Sequence, residues 1–303
     1  MLIKRAARIA KTLVRDSLYS SIWRVGIIDK PIHEVRSRDY ASATWIEPGD
    51  KGLCMADPFG YISEENEYIF FESFRPKSNK GSIRSCVYKG NSRIEDQREV
   101  LSEDSHKSYP CIFEEDGIRF MICENLVCSD INIYELESSE IKNQTALFKD
   151  FRAVDPSIIK YNGKWWLFCT NADSLECEYL YIFHSDGLQS SWIPHIDNPV
   201  KRDISSARPA GTPFVHDGVL FRPGQDNSGE YGKRIVIDKI IDLSEESFNE
   251  EEAYVIDATH ALKYNSGTHT ISRFGSRTLV DAKVNIPRRK LKEENRGEKC
   301  KLT

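Results

Sequence analysis

The chain has 303 residues, 40% hydrophobic and 11% aromatic, enough to bury a core as one large all-β domain or two ordinary ones. Its net charge of −5 is uneven: residues 1–30 carry +5, residues 286–303 carry +4, and the body between them carries −14. An acidic body excludes the basic surface of a nucleic-acid binder, and no apolar run approaches the ~20 residues of a membrane span.

The first segment places Leu2, Ile3, Ala6, Ile9, Ala10, Leu13, Val14 and Leu18 at three- and four-residue steps, with Lys4, Arg5, Arg8, Lys11 and Arg15 between them. This spacing predicts a basic amphipathic helix over residues 1–21. It suits either a helix packed on the domain or one lying on an anionic membrane surface. The segment lacks the unbroken apolar core and small-residue cleavage site of a secretory leader. The eight cysteines form neither a CxxC pair nor a zinc-like Cys/His spacing. Free thiols in a reducing compartment are expected. The expected location is therefore cytoplasmic, with peripheral contact at the inner membrane face if residues 1–20 bind lipid.

From residue 31 onward strand patterns dominate, and one hairpin recurs. Its clearest copy runs Val154-Asp155-Pro156-Ser157-Ile158-Ile159, turns at Asn162-Gly163 and returns through Trp165-Trp166-Leu167-Phe168. Asn-Gly between two apolar runs is a strong hairpin signal, because both residues accept positive φ. Related hairpins start at Ala56-Asp57-Pro58, Tyr109-Pro110, Gly211-Thr212-Pro213 and Gly267-Thr268-His269. Counted at the turn (residues 66, 117, 163, 218 and 275), they step by 51, 46, 55 and 57 residues. Further strand candidates lie between them at 82–88, 131–136, 179–184 and 234–237. Five units of about four short strands predict a five-bladed β-propeller over residues 22–286. A β-sandwich would show similar alternation, but a Pro-marked entrance, turn and aromatic run repeating at one phase favours the propeller. The charged tail, 287–303, is expected to be disordered.

In a propeller the first strand of each blade lines the central channel, so its entrance residues converge. Asp57 and Asp155 stand at that position in the first and third hairpins, Tyr109 in the second, and the Pro209–Ala210 region and Gly267 in the fourth and fifth. Two carboxylates facing one pocket suit glycoside chemistry, although Asp before Pro is also an ordinary turn signal. The return strands end in Glu72, Glu124, Asn171 and Arg222-Pro223-Gly224-Gln225-Asp226, suggesting a shared polar rim. Arg208 offers a rigid fork for phosphate or carboxylate. His269 suits substrate, water or a metal.

The ADPF, SYP, VDPSI…NGKWWLF, ARPAG and RPGQD segments resemble the glycosidase-like five-bladed propellers of the arabinanase/xylosidase and invertase/levansucrase superfamily. They are more closely similar to the N-terminal domain of plant glucosamine inositolphosphorylceramide transferases and bacterial relatives of polysaccharide loci. The similarity spans about residues 22–285. For the hydrolases the resemblance implies a first-blade Asp as base or nucleophile, matched by Asp57, and a third-blade Asp that orients groups, matched by Asp155. The implied fourth-blade general acid has no counterpart, because Arg208-Pro209-Ala210-Gly211 stands there. Two alternatives follow: Glu72 or Glu124 supplies the proton, or the leaving group is an activated phosphate whose charge Arg208 neutralises.

The expected function is therefore carbohydrate chemistry in cell-surface polysaccharide or glycolipid synthesis, by glycosyl transfer from or to an activated sugar. The alternatives are a non-catalytic glycan-binding or scaffold domain, and a glycoside hydrolase with an unusual acid. Asp57, Asp155, Glu72 and Glu124 are the candidate catalytic residues. Tyr109, Asn171, Arg208, Arg222, Gln225, Asp226 and His269 are the candidate substrate contacts. No metal ligand set and no cofactor are expected, although a channel metal near His269 stays open. The partners are a sugar, glycan or activated sugar and no nucleic acid.

Overall fold

The structure, a computed structural model, describes residues 17–289 apart from residues 51, 77, 79, 103, 104 and 176. Five antiparallel sheets form the blades of an all-β propeller, as the repeat predicts. The first blade contains Cys54–Ile62, Glu67–Phe74, Ser82–Tyr88 and Ile94–Leu101. The second contains Lys107–Glu115, Ile118–Asn125, Ile131–Glu137 and Glu140–Phe148. The third contains Ala153–Tyr161, Lys164–Asn171 and Tyr179–Ser185, its outer edge split between Ile193–Pro194 and Lys201–Arg202. The fourth contains Phe214–His216, Val219–Asp226, Arg234–Leu243 and Phe248–Ile256.

The fifth blade is assembled from both ends of the described chain. Ile271–Phe274 and Arg277–Pro287 form its inner hairpin, and Tyr19–Ile28 and Thr44–Trp45 complete it from the N-terminal side. The closing pair is long, running from Tyr19 opposite Pro287 to Ile28 opposite Thr278. The strand therefore begins at Tyr19, before the boundary expected at residue 22. The rest of the expected helix, residues 1–16, lies outside the described residues, as does the tail from residue 290. No helix among the described residues is long and apolar enough to cross a membrane.

Local chemistry explains the hairpins. Asp116-Gly117, Asn162-Gly163 and Asp217-Gly218 all adopt positive φ at both turn positions, the geometry that matches strand twist. Apolar residues of neighbouring blades interdigitate. Phe59, Tyr109, Cys111, Ile158 and Trp165 form one seam, and Trp166, Phe168, Leu180, Ala207 and Leu220 form another. Among the described residues the cysteines are free, and most are buried. Burial pushes the Cys86, Cys111 and Cys123 thiols up to about 12, so they serve as small apolar fillers.

The closing strand buries Val25 completely. Val25→Asp would place an unpaired charge in that seam, a cost of several kcal/mol. The expected outcome is a melting temperature lower by about 10 °C or more, or no soluble protein. Leu262→Asp, at a site 91% exposed, should melt like the wild type in the same scan.

Candidate active site

The first strands of three blades break their ladder at the same place. Register shifts between Ala56 and Phe59, Ser108 and Cys111, and Val154 and Ser157 mark bulges at Asp57-Pro58, Tyr109-Pro110 and Asp155-Pro156. Asp57, Tyr109 and Asp155 take φ of 49°, 53° and 49° there, left-handed values that are costly for residues with a side chain. In the fourth and fifth blades glycines take the strained positions, Gly211 at 130° and Gly267 at 151°.

The bulges aim backbone N–H groups at the acids of adjacent blades. Asp281, on the fifth return strand, accepts from Asp57 N at 3.1 Å. Glu124, on the second, accepts from Asp155 N at 3.4 Å. Glu72 occupies the corresponding place in the first blade, yet among the described residues no such bond joins it to Tyr109. Five acids therefore crowd one channel mouth: Asp57, Glu72, Glu124, Asp155 and Asp281, all buried.

Two clusters partition this charge. In one, Asp155 Oδ2 accepts from Arg208 Nε and Gln225 Nε2, each at 2.6 Å. Arg208 Nη2 lies 3.8 Å from Glu124. In the other, His269 Nδ1 donates to Asp281 Oδ2 at 2.6 Å and lies 3.8 Å from Asp57 Oδ1. Thr270 Oγ1 donates to Asp57 Oδ1 at 2.6 Å. Trp23 stacks on the His269 ring at 4.0 Å, and Tyr231 meets both rings edge-on.

Burial, reinforced by the Asp155 and Asp281 charges, pushes Asp57 up to about 6 against the pull of His269. Glu72 is held well above its ordinary value, by burial first and then by Asp57, Glu124 and Asp155. Burial works against a charged His269, but Asp281 and Asp57 outweigh it and raise its pKa. The mouth thus combines one carboxyl whose pKa is raised well above its ordinary value with another raised to about 6, a pairing of the kind general acid–base chemistry uses. Asp57, His269 and Asp281 also place ligand atoms within 4.8 Å of one another. A cation settling there would displace the His269–Asp281 hydrogen bond.

All four expected catalytic carboxylates reach this mouth, and His269 and Arg208 join them. Several expected substrate contacts make hydrogen bonds or ion pairs within the fold. Arg208 grips Asp155 and so is not a free phosphate fork. Gln225 serves the same carboxylate and Pro209 O. Tyr109 is a fully buried plug whose hydroxyl meets Ser157 Oγ at 2.6 Å and accepts from Gly211 N. Asn171 caps a turn through Asp173 N. Arg222 is buried against Asp238 and Glu250 within its blade. Asp226 is buried against Arg234 and Lys233.

Asp281, Thr270, His106, Trp23 and Tyr231 enter the site without having been singled out. A signal for Asp281 was available. It lies two residues beyond Leu279, as Glu72 lies two beyond Phe70 and Glu124 two beyond Ile122.

Residues 40–270 match the family model described as glucosamine inositolphosphorylceramide transferase 1, N-terminal. The protein of that name from Arabidopsis thaliana is 33% identical over 220 residues, covering 69% of this chain and 28% of its own length. The one from Oryza sativa subsp. japonica is 30% identical over 221 residues, covering 69% and 29%. The chain thus spans less than a third of these curated relatives. Among solved structures, a family-43 β-1,3-galactosidase with galactodeoxynojirimycin aligns at TM-score 0.54 and 12% identity, covering 69% of this chain and 79% of that one. An exo-β-1,3-galactanase from Phanerochaete chrysosporium with galactose aligns at 0.55 and 13%, covering 70% and 53%. These likenesses establish a shared glycosidase-type propeller fold.

A raised carboxyl pKa means the folded state keeps a proton the unfolded chain has already lost. Stability therefore falls as pH rises from 3.8 through about 6 for Asp57, and further for Glu72. Asp57→Asn should flatten the pH 4–6 part of a stability profile measured by chemical denaturation. Glu72→Gln should raise the melting temperature at pH 8 by several degrees, as expected where a site stores destabilising charge.

Proposed function

Since the chain belongs to the family of the glucosamine inositolphosphorylceramide transferase 1 N-terminal domain, we propose that its acidic channel mouth is a sugar site for glycosyl transfer. The reaction is transfer from or to an activated sugar during synthesis of a cell-surface polysaccharide or glycolipid. The names of the relatives make an amino sugar and an inositol-phosphate sphingolipid the first substrates to try. The observation that carries the reading is Glu72, a buried acid without a bulge to cap, its pKa raised by burial and by the Asp57 charge.

In this reading Glu72 gives its proton to the departing oxygen, replacing the acid missing from the fourth blade. Asp57 faces the sugar as base or nucleophile. Asp155, fixed by Arg208 and Gln225, orients the ring. Acid–base assistance of this kind contributes roughly 10²–10⁴ in rate.

A second reading, a glycan-binding or scaffold domain without turnover, is favoured by Arg208 standing where a carboxylate is expected. Membrane attachment is part of the proposal. Tyr19 pairs with Pro287, so the two ends of the described chain lie side by side in the fifth blade. In this proposal the protein sits at the cytoplasmic membrane surface, with residues 1–16 against anionic lipid.

The test incubates the full chain with nucleotide-activated hexosamines and hexoses and an inositolphosphorylceramide acceptor. Transfer is expected in the wild type, with Asp57→Asn and Glu72→Gln slower by about 10²–10⁴ while sugar binding persists. Binding without turnover would favour the second reading, and free sugar released from aryl glycosides would point to a hydrolase and overturn transfer. In a separate assay, sedimentation with phosphatidylserine vesicles should fall at least tenfold when residues 1–16 are deleted. Undiminished sedimentation would sink the membrane contact.

A further inference from the structure

The same contacts that set Glu72 apart bring it to His106, on the approach to the second blade. His106 Nε2 lies 3.8 Å from Glu72 Oε1 and 3.8 Å from Glu124 Oε1. The nitrogen stands midway, beyond direct hydrogen bonding to either, so a small ring rotation serves one acid or the other. The other ring nitrogen is already engaged, because His106 Nδ1 accepts from Gly81 N at 3.1 Å. A neutral imidazole with an accepting Nδ1 carries its proton on Nε2. That proton points between the two carboxylates.

Gly81 holds both partners. Its N–H fixes the His106 tautomer, and its carbonyl accepts from Lys107 N at 3.0 Å. A Cβ at this position would collide with Glu72 Oε1. Its φ is not left-handed, so the absent side chain answers to the carboxyl beside it and not to a turn. The Glu124 carboxylate is drawn the other way, toward Asp155 N and Arg208. His106 itself keeps 27% of its side chain exposed, so solvent reaches the edge of the group.

We propose that His106 is a positioning residue for Glu72: its Nε2–H is a donor shared between Glu72 and Glu124, which decides which of the two carries the proton. This rests on the reading of Glu72 as proton donor. With Glu124 committed to Asp155 N–H and Arg208, the proton resides on Glu72. When the Glu72 O–H bond breaks and its proton passes to the departing oxygen, the carboxylate left behind receives a hydrogen bond from His106 Nε2–H. No proton leaves the ring, because Nδ1 is occupied by Gly81, and a solvent proton later restores Glu72. Among the described residues, the charged and titratable groups facing this unit are Glu72, Glu124, Asp57, Asp155, Arg208 and Lys107. Burial lowers the pKa of His106 against the pull of Asp155, with Arg208 and Lys107 adding to burial.

The test is infrared difference spectroscopy of the protonated carboxyl band, assigned to Glu72 by its loss in Glu72→Gln. Removing the donor in His106→Phe should raise the band's pH midpoint by about one unit, and His106→Gln, which restores an N–H, should return most of it. Nitrogen NMR of the wild type should find His106 protonated at Nε2 alone, with that signature disturbed in Gly81→Ala. An unmoved midpoint in folded His106→Phe, or a proton on Nδ1, would overturn the proposal. Neither readout needs turnover. A moved midpoint in a protein that transfers no sugar would sustain this inference and sink the reading of function. The reverse pair of results would do the opposite.

Discussion

A return-strand carboxylate accepting a hydrogen bond from a backbone bulge in another blade is the contact on which the rest of the site depends. Asp281 does this for Asp57, and Glu124 for Asp155. Each bond satisfies a buried N–H that a bulge would otherwise leave unpaired, and each links two blades across a seam. It also explains why Asp57 and Asp155 hold left-handed backbone beside proline. A strained conformation persists only where its surroundings over-determine it, and here a buried acid on one side and the ladder on the other do so.

The same contact brings negative charge into a dry place. Two acids are committed to bulges, a third is paired with Arg208 and hydrogen-bonded by Gln225, and a fourth faces His269. Glu72 is the remainder, and burial, with the charges of its neighbours, raises its pKa well above the ordinary value. In the proposed reading this makes Glu72 the proton donor in place of a fourth-blade acid. This arrangement lowers the stability of the fold at alkaline pH, the usual cost of a site held ready for chemistry.

How much of this could be read from residues alone follows from the range of each interaction. The Asn-Gly and Asp-Gly turns, the aromatic return strands and the phase of Asp57 and Asp155 are local, so the five blades and two of the acids were legible. Asp281 followed the same phase and was legible in principle. Closure of the fifth blade was not, because it pairs the two ends of the described chain and brings Trp23 into the site. The roles of Tyr109 and Arg208 were misread for a related reason. A tyrosine in the aspartate's place has the reach to cross the axis and lock onto Ser157 and Gly211. Arg208 looked free only while its partner, a blade away, was unknown. His106, a lone histidine in a connecting segment, offered no pattern at all.

The central claim is that sugars occupy the acidic mouth. Its most direct test is a crystal of Glu72→Gln soaked in glucosamine and inositol-phosphate glycans at concentrations that saturate binding in solution. The account predicts sugar density between Asp57 and residue 72, with a ring oxygen or hydroxyl on Asp155. Density instead at the opposite end of the channel, in the cavity of about 530 Å³ flanked by Phe113, Arg119 and Trp165, with the acidic mouth empty, would contradict it.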